Sequence, residues 1–112
     1  MFRLVIWSII IICLLPCGAW AQPSYAPVLK ENGQKWKIGY MEGGPYPHYT
    51  FVLKSLVQNL AEMGWLPPLG PDFPWASEDT REIWNWLASR GDGPYLNFPA
   101  DAFWSPGWDR AK

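Results

Sequence analysis

Proline decides where this chain can be regular. Twelve prolines stand among its 112 residues, together with ten glycines. A proline fixes φ, lacks an N–H and interrupts a helix or a central strand. Pro45 and Pro47 close one segment, Pro67, Pro68, Pro71 and Pro74 force an irregular loop, and Pro99 ends another. Regular structure is confined to the stretches between these stops.

Two such stretches read as helices. Over 49–63, Tyr49, Val52, Leu53, Leu56, Val57 and Leu60 recur at the spacing of one helical face, and Gly64 stands just past the last turn, where a terminating glycine belongs. A second helix is expected over 78–89. Ser77 is its candidate N-cap, and Glu78 and Asp79 suit the positive end of the helix. Ile83, Trp84 and Leu87 form its apolar stripe, with Trp86 alongside, and Arg90 and Gly91 close it.

Strands are expected on either side of these helices. In 36–42, Trp36, Ile38, Tyr40 and Glu42 point one way and Lys37, Gly39 and Met41 the other. Gly43-Gly44-Pro45-Tyr46-Pro47 then makes a turn. Residues 65–66 are a candidate second strand and 95–98 a third, followed by a tail rich in Trp, Pro and Gly. Strands alternating with helices predict an α/β fold with a short parallel sheet, three strands wide, and flanking helices. Both faces of a parallel sheet want cover, which two helices do not supply. The expected fold is therefore an incomplete α/β unit, the opening of a larger domain.

The first 21 residues read as an export signal. Arg3 supplies a positive start, residues 4–15 are almost wholly apolar, Pro16 and Gly18 break any helix, and Ala19-Trp20-Ala21 gives an A-x-A site with cleavage between Ala21 and Gln22. The apolar core is shorter than the ~20 residues that span a bilayer. An uncleaved anchor is the plain alternative. Cleavage removes both cysteines, Cys13 and Cys17, and leaves no disulfide or thiolate zinc site. The expected localisation is periplasmic or secreted. Three segments follow: a signal peptide over 1–21, a flexible leader over 22–35 containing Pro23 and Pro27, and a folded part over 36–112.

Charge narrows the partners. Nine basic residues against ten acidic give a net charge of −1, without the basic stripe that nucleic acid requires. One histidine, His48, does not make a metal site, and a lone histidine at a helix start is ordinarily inert. No catalytic pairing can be argued from spacing, so no enzyme activity, metal or cofactor is expected.

The glycine turn is the candidate ligand site. In open α/β sheets ligands bind beyond the carboxyl ends of the strands. Gly43 and Gly44 would let a ligand approach the backbone, and the helix that follows offers free N–H groups suited to a solute carboxylate. Tyr46 and Tyr49 could stack on a small solute, and Glu42 could meet an amine. The plain alternative is a tight turn whose glycines serve geometry alone. Five residues, Glu42, Gly43, Gly44, Tyr46 and Tyr49, are thus the expected ligand contacts.

The same residues carry a resemblance. WKIGYMEGGPYPHY, a helix ending EMGWL, then EDTREIWNWLASR and YLNFPADAFWSPGWD together resemble the start of bacterial ABC-transporter substrate-binding proteins, in particular those with a periplasmic-binding-protein type 1 first lobe. The resemblance runs from Trp36 to Asp109 and covers only the opening portion of such a receptor. It implies a partial Rossmann-like lobe, and a small-molecule solute held in a cleft between two lobes. Closure of that cleft would present the receptor to the membrane permease of the importer. It also implies a fragment that lacks the second lobe.

A second function class stays open. Trp75, Trp84, Trp86, Trp104 and Trp108 invite an aromatic platform, as in a small secreted domain that binds glycan or protein. Such modules are more often all-β, whereas this pattern alternates. The plain alternative places Trp84 in a core, with the other tryptophans partly exposed.

Overall fold

A computed structural model describes residues 25–109. The export segment, its cleavage position and both cysteines lie outside the described residues. The elements are β1 (Trp36–Lys37), β2 (Tyr40–Met41), α1 (Pro47–Glu62), α2 (Thr80–Arg90), β3 (Leu96–Asn97) and β4 (Phe103–Trp104). The fold is mixed α/β: two helices and two short parallel two-stranded sheets, β1 with β3 and β2 with β4.

The expected strand over 36–42 exists as one extended path whose partner is interrupted. The backbone N–H groups of Trp36, Ile38, Tyr40 and Glu42 donate in turn to the carbonyls of Tyr95, Asn97, Ala102 and Trp104, at 2.8–3.0 Å. The acceptors jump from Asn97 to Ala102. Between them Pro99 has no N–H to give, and Ala102 N–H turns back to the Pro99 carbonyl at 3.0 Å. That excursion divides one ladder into two sheets. The expected three-stranded sheet is therefore replaced by a two-stranded arrangement, and the third expected strand is shortened to Leu96–Asn97. Its second half, β4, comes from the tail, where no strand was expected.

Residues 65–66 form no strand. Gly64 adopts φ 83°, and the N–H groups of Trp65 and Leu66 both turn back to the Leu60 carbonyl, at 2.8 and 3.3 Å. They terminate α1, in the manner of a helix end closed by a left-handed glycine. Both helices shift by two residues at their starts. α1 begins earlier, at Pro47, because proline is pre-shaped for the first turn and lacks only an N–H that is unpaired there anyway. α2 begins later, since Asp79 is its N-cap rather than Ser77. The Asp79 side chain accepts from Arg81 N–H at 2.8 Å, while the Ser77 hydroxyl oxygen accepts from Asp79 N–H at 3.1 Å in a turn just outside the helix.

One core forms on one side of the sheet. Leu53 and Val57 of α1 meet Ile83, Trp84 and Leu87 of α2, with Leu66 and Phe73 from the proline loop and Leu96 and Phe98 from the interrupted strand. Tyr40 stacks on Phe103 at 5.5 Å and lies 6.3 Å from Trp84, so the sheet joins the core through aromatic rings. The expected apolar face of α1 is only partly used. Leu53 and Val57 are buried, but Val52 and Leu56 remain 50 % and 51 % exposed. A single neighbouring layer covers one ridge of a helix, and these two residues lie on the next. The outer sheet face is bare as well: Met41 and Trp104, paired in register, are both exposed.

Candidate functional site

A cavity of about 300 Å³ opens where three segment ends converge. The end of β2 contributes Glu42, the start of α1 contributes Pro45, Tyr46 and Thr50, and the start of α2 contributes Glu78, Asp79 and Thr80. Both helix N-termini therefore point at the space beyond a strand's carboxyl end, the place where α/β sheets bind ligands. A larger cavity of about 350 Å³ lies at the other end of α1, among Ala61, Pro68, Leu69 and Trp75. It is the more apolar of the two and lacks converging helix ends. The smaller cavity is therefore the better candidate.

Glu42 is the organising side chain. It is only 8 % exposed and carries three hydroxyl donors. Tyr40 and Thr80 donate to its Oε2 at 2.9 Å each, and Ser105 donates to Oε1 at 2.8 Å. It thus ties the end of β2 to the start of α2 and to the segment after β4. Among the described residues no cation pairs with it. A carboxylate has roughly four acceptor positions, so about one is left over beside the cavity. Burial, then the hydrogen bond and the charge of Glu42, push the Tyr40 hydroxyl well above the usual tyrosine range, which keeps it a donor.

The two helix ends differ in what they leave free. Asp79 caps α2. At α1, Tyr46 occupies the N-cap position without a side-chain cap bond, and Pro47 removes one donor. The remaining N–H groups were expected to suit a solute carboxylate. Glu42, Glu78 and Asp79 beside them make the cavity acidic, which opposes an anion and favours a cationic group.

The structure brings the five expected contacts to one place, but not all to the cavity. Glu42 and Tyr46 line it; Gly43, Gly44 and Tyr49 do not. The two glycines instead lie beneath the Trp108 indole. A Cβ on Gly43 would stand 2.7 Å from Trp108 Cζ3, and one on Gly44 would stand 2.7 Å from Trp108 Cδ1. Here glycine is required by close approach of a ring. Tyr49 meets Tyr46 edge-on at 5.3 Å and lies 6.3 Å from Trp108, so Tyr46, Tyr49 and Trp108 make a short aromatic row beside the turn. His48 sits outside this row, stacked on exposed Phe51 at 5.8 Å.

Sequence reasoning missed Thr80, Ser105 and Trp108. Hydroxyl donors to a buried acid carry no spacing signal, because their partners lie 38 and 63 residues away. The tryptophans form no common platform. Trp84 is in the core, Trp75 and Trp86 both pack edge-on against Phe73, Trp104 lies on the outer sheet face and Trp108 covers the glycine turn. No group of three or more metal-ligating side chains occurs among the described residues, and none of their helices is long and apolar enough to cross a membrane. Compared with known proteins, the chain finds no matching family model, no matching curated protein and no matching solved structure.

Proposed function

We propose that this chain is the exported solute-binding component of an ABC importer, and that it binds a small solute through a protonated amine. The observation that carries the reading is the cavity itself: two helix starts and a strand end meet around a buried acid, with acidic side chains and an exposed tyrosine at the rim. Glu42 offers the remaining acceptor, Glu78 and Asp79 add negative charge, and Tyr46 supplies a ring face for a cation. The function is capture rather than catalysis.

The fold class supports the same reading at a coarser level. Parallel strands with helices between them are the start of a Rossmann-like lobe, and parallel sheets are ordinarily covered on both faces. The bare pair Met41 and Trp104 is the kind of surface that further strands and helices of a first lobe would cover. Signal cleavage between Ala21 and Gln22 would deliver the chain to the periplasm.

The test has two parts. The full reading frame is expressed in a bacterium and the product of the periplasmic fraction is weighed; a mass starting at Gln22 is expected. That protein is then titrated calorimetrically with a panel of small amines, amino acids and neutral sugars. Binding by amine-bearing solutes is expected, weakened tenfold or more in Tyr46→Ala. A cytosolic, unprocessed product would sink the export reading. Equal binding of neutral sugars, or no binding by any amine, would sink the ligand reading.

A further inference from the structure

We infer that Trp108 is a hinged strap over the Gly43–Gly44 turn, and that it opens and closes access to that turn. Its ring lies so close to both glycines that neither position has room for a Cβ. Two hydrogen bonds hold it there: Trp108 N–H donates to the Gly43 carbonyl at 2.6 Å, and Trp108 Nε1–H donates to the Pro45 carbonyl at 3.2 Å. Yet the residue is 59 % exposed, so the ring is held from one side only.

The backbone beneath the ring is strained. Trp108 has φ 68°, a left-handed value that a bulky side chain rarely takes, and Gly107 before it has φ 68° as well. Among the described residues Trp108 is the only non-glycine at positive φ. Such a conformation persists only where the surroundings over-determine it. Here they consist of two hydrogen bonds and one stacked face. Leaving the turn would relieve the strain, so open and closed states should be close in energy.

The hinge is bounded on the near side. Ser105 is anchored on Glu42 at the cavity, and Pro106 is rigid in φ, which leaves Gly107 as the pivot. Opening uncovers the carbonyls of Gly43 and Pro45, the latter residue being part of the cavity wall. It also frees Tyr49 from its neighbour in the aromatic row. As a control on ligand entry the strap rests on the reading of that cavity as the binding site; as a moving part it does not.

The experiment therefore needs no ligand. The exported protein is labelled with 5-fluorotryptophan, and the Trp108 fluorine signal is assigned by its loss in Trp108→Phe. Exchange between two environments on the microsecond-to-millisecond scale is expected for Trp108, with Trp84 as the static reference. Gly107→Ala is the decisive variant, because a Cβ there meets nothing within 4 Å and acts through φ alone. It should raise the open population about tenfold and speed amide exchange at Gly44 by the same factor. Gly44→Ala should displace the ring outright. A Trp108 signal that is single, free of exchange and unmoved by Gly107→Ala would overturn the strap. Calorimetry with amines reads the binding proposal separately, so either can fail while the other stands.

Discussion

The two helices of this molecule are built on opposite plans. α2 states its own limits: Asp79 caps its start, Glu82 lies in its first turn, Arg90 lies in its last, and Ile83, Trp84 and Leu87 are all buried. α1 has no side-chain cap, no acidic residue in its first turn and no basic one in its last. It begins on Pro47 and spends half its apolar surface on solvent, at Val52 and Leu56. Local sequence signals therefore specify α2, whereas α1 depends on what it packs against. The less self-sufficient helix is also the one whose start borders the candidate site. An uncapped end there leaves backbone donors beside the cavity, which a capped end does not.

Truncating the cores of the two helices should expose this difference most strongly. Trp84 is fully buried, packs on Phe98 at 5.7 Å and donates from Nε1 to the Pro99 carbonyl at 3.0 Å. Trp84→Ala should cost about 3–5 kcal/mol, a large part of the stability of so small a domain. Leu56→Ala, on the exposed ridge of α1, should stay within about 0.5 kcal/mol. Urea unfolding of both variants makes the comparison. A Leu56→Ala loss as large as that of a core residue would mean that its ridge is covered in the protein in solution, and that α1 has a second neighbour.

The capping difference should be smaller and still measurable. Asp79→Ala removes the acceptor for Arg81 N–H and should destabilise by about 1 kcal/mol. Tyr46→Ala at the matching position of α1 removes no cap bond, and should change stability by less than about 0.5 kcal/mol. Equal losses would show that the Tyr46 ring, through its contact with Tyr49, does for α1 what a capping bond does for α2.

The same contrast explains what could be read from the sequence. The helices were legible because apolar residues at 3.6-residue spacing leave a local trace, as at Leu53 and Val57 or Ile83 and Leu87. Their starts were misplaced by two residues because capping is a competition among neighbours: Ser77, Glu78 and Asp79 all qualify by type, and backbone geometry chose Asp79. The path of 36–42 was legible from its alternation. Its pairing was not, since Pro99 and the excursion around it fall in the partner strand. At the candidate site Glu42 and Tyr46 could be picked out because they flank a glycine turn after a strand. Thr80, Ser105 and Trp108 arrive from distant parts of the chain, and only the fold brings them there.

The smallest expected effect concerns the electrostatics that α2 has and α1 lacks. Asp72, in the proline loop, accepts hydrogen bonds from Arg90 and, at 3.3 Å, from Trp86, so it holds the last turns of α2. Desolvation pushes its carboxyl upward, but the bonds from Trp86 and Arg90, its own backbone N–H and the guanidinium charge outweigh that and hold it below the usual aspartate range. A carboxyl depressed in the folded state binds its proton less readily there than in the unfolded chain. Its stabilising contribution is therefore present above the ordinary value of about 3.9, and is lost as pH falls through the depressed pKa. The pair is solvent-exposed, so the effect is small and screened by salt. Urea midpoints for the protein and for Asp72→Asn should differ at pH 6 and converge toward pH 2, with the difference shrinking in high salt. A gap that persists unchanged at pH 2 would mean that Asp72 acts through its contacts with Gly70 and Trp86 rather than through its charge, and α2 would then owe less to electrostatics than its sequence suggests.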